Sequence, residues 1–127
     1  MGSKRVLVVD DEDAIREVVQ AALEIVGDYD VITAASGSEG FHTATAERPD
    51  AILLDVMMPD MDGIAVFQRL QEEPSVRGIP VILLTAKAQP SDRRRFTDLG
   101  VAGVIVKPFD PMGLPEEMAA ILGWNSG

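Results

Sequence analysis

The chain has no cysteine, and its 127 residues include one histidine, one tryptophan, one tyrosine and four phenylalanines. Without thiols there are no disulfides and no thiolate metal sites, while the redox compartment stays open. Cations are scarce as well. Eleven lysines and arginines stand against 21 aspartates and glutamates, a formal net charge of −10. A phosphate backbone needs a basic face, so direct nucleic-acid binding by this chain is not expected. No apolar run approaches the ~20 residues that span a bilayer. The start, MGSKRVLVVDDED, lacks the long apolar stretch and small-residue cleavage site of a secretory leader. A cytoplasmic location without membrane partners is therefore expected. Linkers, repeats and low-complexity tracts are missing too, and the length fits one domain over residues 1–127, with an ordered core over about 4–123.

What is present alternates. RVLVV, DVITAA, AILLDV, IPVILLTA and AGVIVK are short and rich in β-branched and aliphatic residues, as strands are. Segments with helical spacing lie between them. In DAIREVVQAALEIVG, Ile15, Val18, Val19, Ala22, Leu23 and Val26 recur at steps of three and four and predict one buried stripe, with Gly27 as its stop. SGSEGFHTATAERP and DGIAVFQRLQEEP predict helices closed by Pro49 and Pro74. SDRRRFTDLG predicts a helix with a Ser or Asp cap that ends at Gly100. Asp110 and Pro111 resemble a cap and first turn, and Pro115 postpones the final helix to about Leu114 or Pro115.

Five strands alternating with five helices predict an α/β fold: a doubly wound, flavodoxin-like parallel sheet with helices on both faces. The strands headed by Val6, Ile52 and Val81 are apolar almost throughout, as interior strands are. The less apolar VITAASG suits an edge. Of the two common doubly wound orders, 2-1-3-4-5 fits five strands, and it puts ligands at the carboxyl ends of strands 1 and 3. In that layout four strands end in a polar residue at one rim: Asp10 and Asp11, Asp55, Thr85, and Lys107. Each has an ordinary explanation taken singly: an Asp after a strand caps a helix, Thr bonds its own turn, Lys snorkels to solvent. For Asp13 the cap is the favoured reading. At the ends of adjacent strands the four ordinary explanations become an unlikely coincidence.

With VLVVDDED, AILLDVMMPDMDG, VILLTAK and VIVKPF in this order, and with Asp55, Thr85 and Lys107 separated by 30 and then 22 residues, the chain resembles the receiver domain of two-component response regulators. The resemblance covers nearly the whole chain and is of the chemotaxis-regulator kind, itself one of the examples behind the strand-order rule. It implies that Asp55 accepts a phosphoryl group from the phosphohistidine of a sensor histidine kinase or phosphotransfer protein. It also implies Mg²⁺, held by Asp11, Asp55 and the backbone carbonyl of Met57, with Asp10 acting through a water. The hard cation, which keeps several waters, relieves the repulsion between carboxylates and phosphate. Thr85 and Lys107 are then the phosphoryl-contacting and switch residues, and the Lys107–Pro108 bond is a candidate cis peptide.

Other features keep plainer explanations. The methionines of MMPDMDG fit packing or loop filler. His42 fits an exposed position on a polar helix, and Arg93, Arg94 and Arg95 fit a solvated face or a basic docking patch. One departure stands out: the aromatic that receivers carry three residues before the lysine is Val104 here, so the family's usual output switch lacks its ring. Two alternatives remain. A haloacid-dehalogenase-type phosphatase also uses Mg²⁺ and an aspartyl phosphate, and DED at 11–13, Thr85 and Lys107 mimic its pattern. It leaves Asp55 unexplained, and no acidic pair follows Lys107. A receiver-like interaction module without phosphorylation is the other, favoured only by Val104. The downstream partner has no signature in the chain, which is either a single-domain regulator or a piece of a longer protein.

Overall fold

Each apolar block becomes a strand in the computed structural model, which describes residues 4–86 and 89–124. In chain order the elements are β1 (Arg5–Val9), α1 (Asp13–Ala21), β2 (Asp30–Ala34), α2 (Gly37–Glu47), β3 (Ala51–Asp55), α3 (Gly63–Gln71), β4 (Val81–Thr85), α4 (Pro90–Leu99), β5 (Gly103–Val106) and α5 (Leu114–Leu122). All pairings are parallel and the order is β2-β1-β3-β4-β5, as the sequence predicts. Every residue of β3 and β4 is buried, and β2, the least apolar strand, lies at an edge.

Two apolar clusters hold the layers together. Strand side chains alternate between faces, so Leu7, Val9, Ile52, Leu54 and Leu83 pack on one side with Phe67, Leu70 and Phe96 of α3 and α4. Val6, Val8, Leu53, Ile82 and Leu84 pack on the other with Val19 and Leu23, and with Leu114 and Met118 of α5. Burying one leucine-sized side chain contributes about 1.5–3 kcal/mol, and both faces of the central strands do so. Among the described residues no buried side-chain nitrogen or oxygen lacks a partner.

Three local expectations need correction. The first helical stripe is narrower than its spacing suggests: Val19, Ala22 and Leu23 are buried, but Val18 and Val26 are each 44% exposed. α1 runs on into a π-helical turn, Ala22–Val26, which Gly27 ends by donating its N–H to the Ala22 carbonyl at 3.2 Å. α4 begins at least two residues early, with Gln89 at the cap and Pro90 in the first turn, instead of at a Ser or Asp cap. Proline's missing N–H and fixed φ suit that position. α3 ends at Gln71, three residues before Pro74, in a series of turns. Two other caps match: Gly100 closes α4 at φ +105°, and Asp110 accepts the Met112 N–H ahead of a 3₁₀ turn, Pro111–Gly113, that leads into α5.

Candidate functional site

The parallel register brings four strand ends to one rim. Val9 pairs with Leu54, Asp55 with Leu84, and Thr85 with Val106, so Asp10, Asp55, Thr85 and Lys107 all leave the sheet at its carboxyl edge. Alternation then sorts their side chains. Asp10, Asp55 and Lys107 each stand two residues beyond a strand residue of the α1/α5-side cluster: Val8, Leu53 and Ile105. Thr85 follows Leu83 on the opposite parity, and is buried at the end of β4. The Lys107 N–H donates to the Thr85 carbonyl at 2.8 Å, which anchors the base of the lysine to that strand. The Lys107–Pro108 peptide is cis.

Lys107 Nζ donates to Asp55 Oδ1 at 3.0 Å and to Asp10 Oδ2 at 3.2 Å. Asp10 is wholly buried, and its other oxygen accepts the Glu12 N–H at 2.9 Å. Asp11 is half-buried beside it, and one carboxylate oxygen from each of Asp10, Asp11 and Asp55 lies within 4.8 Å of the others. Burial pushes the Asp55 carboxyl above its usual value, with help from the Asp10 charge; the bond from Lys107 opposes this and does not overcome it. Burial alone would lower the Lys107 ammonium, but the two carboxylates outweigh it and hold the lysine above its ordinary value. Both directions follow from one ammonium shared between two anions in a site with little water.

Three carboxylates against one ammonium leave a formal charge of −2. That donor set fits Mg²⁺. All of its ligand atoms are hard oxygens, and ligands about 2.1 Å from the ion stand roughly 3–4 Å apart, close to the spread of the cluster. Met57 follows Asp55 by two residues in the loop to α3, with its side chain exposed. Gly63 closes that loop by donating to the Val56 carbonyl at 2.9 Å. A Cβ at Gly63 would lie 2.3 Å from the Asp55 carbonyl oxygen, so the glycine of MDG lets α3 start directly against the acidic strand end.

Asp13 is not the cap expected of it. α1 starts at Asp13 after Glu12, which makes no side-chain cap bond. The Asp13 carboxylate pairs instead with Arg16, on the outside of the helix. Arg16 is a site residue that sequence reasoning missed: its Nη1 donates to the Asp10 carbonyl at 2.8 Å. The Asp13–Arg16 spacing was visible as a helical ion pair, but the reach back to Asp10 was not. Val104 is part-buried against the α3/α4-side cluster, opposite Leu83. His42 and Arg93 to Arg95 are exposed, as expected. Residues 87 and 88, at and just after the end of VILLTAK, lie outside the described residues.

Comparison with known proteins agrees with this geometry. The family model for the response regulator receiver domain matches residues 6–119. The alkaline phosphatase synthesis transcriptional regulatory protein PhoP of Bacillus subtilis is 42% identical over 120 residues, covering 94% of this chain and 49% of that protein. A probable transcriptional regulator, ycf27, of Porphyridium aerugineum is 42% identical over 122 residues, 96% of this chain and 49% of its own length. The chain thus spans about half the length of the curated relatives it matches. The structure of the chemotaxis response regulator CheY4 of Vibrio cholerae superposes with a TM-score of 0.87 at 33% identity, covering 94% of this chain and 98% of that one. None of these comparisons supports the phosphatase alternative. Family match, fold and acidic cluster coincide, and the chain belongs to the response regulator receiver domain family.

Proposed function

We propose that Asp55 is the phosphoacceptor of this receiver. The observation that carries the assignment is the Asp10–Asp11–Asp55 cluster with Lys107 bridging two of its members. Asp55 combines a place at the sheet rim with a carboxylate that a cation already steadies. Its oxygen attacks the phosphorus of a phosphohistidine, the P–N bond breaks, and the phosphoryl group becomes a mixed anhydride on Asp55. Asp11, Asp55 and the Met57 carbonyl are the direct Mg²⁺ ligands in this reading. Asp10, whose two oxygens accept from Glu12 and Lys107, acts through a water in this reading, as the family resemblance implies. The ion supplies the positive charge that lets a phosphate approach three carboxylates. Lys107 neutralises the phosphoryl oxygens as a point charge, and Thr85 donates its hydroxyl to them.

The donor is a sensor histidine kinase or phosphotransfer protein in the cytoplasm. Beside Lys107 lies an apolar groove of about 380 Å³, lined in part by Ile15, Val18, Phe109 and Pro111. No helix among the described residues is long and apolar enough to cross a membrane. Phosphorylation alters binding to a downstream protein partner, and the net charge of −10 argues against direct contact of this domain with nucleic acid. A small-molecule phosphodonor with Mg²⁺ tests the assignment by intact mass. One added phosphoryl group is expected, lost in Asp55→Asn and without Mg²⁺. Equal labelling of Asp55→Asn would refute it.

A further inference from the structure

The loop between β3 and α3 carries Met57, and it is tied to a helix from elsewhere in the chain. Asp60 Oδ1 accepts the Gly37 N–H and its Oδ2 accepts the Ser38 N–H, each at 3.1 Å. These are the first two amides of α2. The third, Glu39, donates to the Ser36 hydroxyl at 3.1 Å, and the Gly40 amide begins the helical series by bonding the Ser36 carbonyl. Three of the four orphan donors of a helix start are therefore divided between a local cap and a carboxylate more than 20 residues away. Contact reinforces the tie: a Cβ at Gly37 would lie 2.5 Å from the Met61 carbonyl oxygen, so α2 begins flush against the loop backbone. The amides of Ser38 and Gly37 hold the Asp60 carboxyl below its usual value, which keeps it an anion at the positive end of α2.

We propose that Asp60 is a positioning residue for the metal site: by clamping the β3–α3 loop to the start of α2 it holds the Met57 carbonyl where the cation needs it. The loop is fixed at its far end by the Gly63 N–H on the Val56 carbonyl and by Met58 buried in the core, and Asp60 adds the polar tie to α2 between them. Ordering this loop in advance removes an ordering cost that metal binding would otherwise bear. The coupling is reciprocal: occupying the metal site tightens the start of α2. This inference rests on the proposed Mg²⁺ ligand set.

Three variants of the full chain test it: Asp60→Asn, which keeps one acceptor oxygen, Asp60→Ala, which keeps none, and Ser36→Ala. The last removes a cap from the same helix without touching the loop. Mg²⁺ affinity is measured by calorimetry, and hydrogen exchange of the Gly37 and Ser38 amides by NMR with and without Mg²⁺. Asp60→Ala should weaken Mg²⁺ binding about tenfold, in the range seen for groups that orient metal ligands. Asp60→Asn should fall between it and the wild type, and Ser36→Ala should match the wild type. Mg²⁺ should slow exchange at Gly37 and Ser38 in the wild type and leave it unchanged in Asp60→Ala. Wild-type affinity in Asp60→Ala, or an equal loss in Ser36→Ala, overturns the proposal. Asp11→Ala, measured alongside, separates the two failures. If it too binds Mg²⁺ normally, the ligand set itself is wrong and the inference falls with it.

Discussion

Asp55→Asn should make the metal-free protein more stable, although it removes the residue assigned the chemistry. Asp55 faces two carboxylates whose nearest ligand oxygens lie within 4.8 Å. At an effective dielectric of about 20, each like pair at that distance costs about 3.5 kcal/mol. The Lys107 ammonium at 3.0 Å returns about 5.5 kcal/mol. The difference leaves Asp55 about 1.5 kcal/mol worse off charged than neutral, and screening at half-exposed Asp11 trims this to about 1 kcal/mol. An asparagine oxygen still accepts from Lys107, so little is lost in exchange. For a domain of this size the gain corresponds to a rise in Tm of about 3–5 °C.

Thermal melts in EDTA and in saturating Mg²⁺ read this directly. In EDTA the variant should melt higher. In Mg²⁺ the order should reverse, because the wild type gains by mass action, about 2.7 kcal/mol at a hundredfold excess over Kd, and the variant has lost a ligand. The pH dependence has a definite sign. Because the Asp55 carboxyl is raised in the folded state, the native protein holds that proton more tightly than the unfolded chain. The penalty is therefore absent below the unfolded value of about 3.9 and complete once the pH exceeds the folded one. The gap between variant and wild type should close as the pH falls toward 4. A variant that melts lower than the wild type in EDTA at pH 7 would refute the reasoning.

Asp11→Ala should abolish the Mg²⁺-dependent rise in Tm while Asp13→Ala, whose carboxylate is turned to Arg16, should keep it; equal behaviour in melts would mean the ligands are misassigned. Lys107→Ala should lower stability in EDTA by about 3 kcal/mol, the usual result of stripping one partner from a buried pair, yet bind Mg²⁺ more tightly in calorimetry because no ammonium competes for the same oxygens. Weaker Mg²⁺ binding in that variant would contradict the competition. Beryllofluoride, a phosphoryl mimic, should shift amides mainly around Asp10, Asp55, Thr85 and residues 86–92. Val104 is stiff at χ1 and has no ring to swing, so residues 101–122 should stay comparatively quiet, and equal shifts there would show a switch that works without an aromatic.

Much of this protein is local and therefore legible without coordinates. Strand blocks of four or five aliphatic residues, the polar residue that ends each, and the glycines and prolines that stop helices all act over a few positions. Burial on both faces made β1, β3 and β4 readable as interior strands, and the four motifs in register carried the family. Cap details were less secure, because Pro90 and the π-helical turn override nearby signals by a residue or two. What only the tertiary structure decided are contacts between parts far apart in the chain. Lys107 reaches Asp10 across 97 residues and Asp55 across 52. Asp60 meets α2 across 23 and 22. Arg16 turns back on the Asp10 carbonyl. Such pairings depend on strand register and on which face each terminal side chain leaves by, and both are settled by packing two apolar clusters against one sheet. The sequence alone identifies the acids and the lysine that gather at the rim, while packing decides which of their atoms meet: Lys107 on both Asp55 and Asp10.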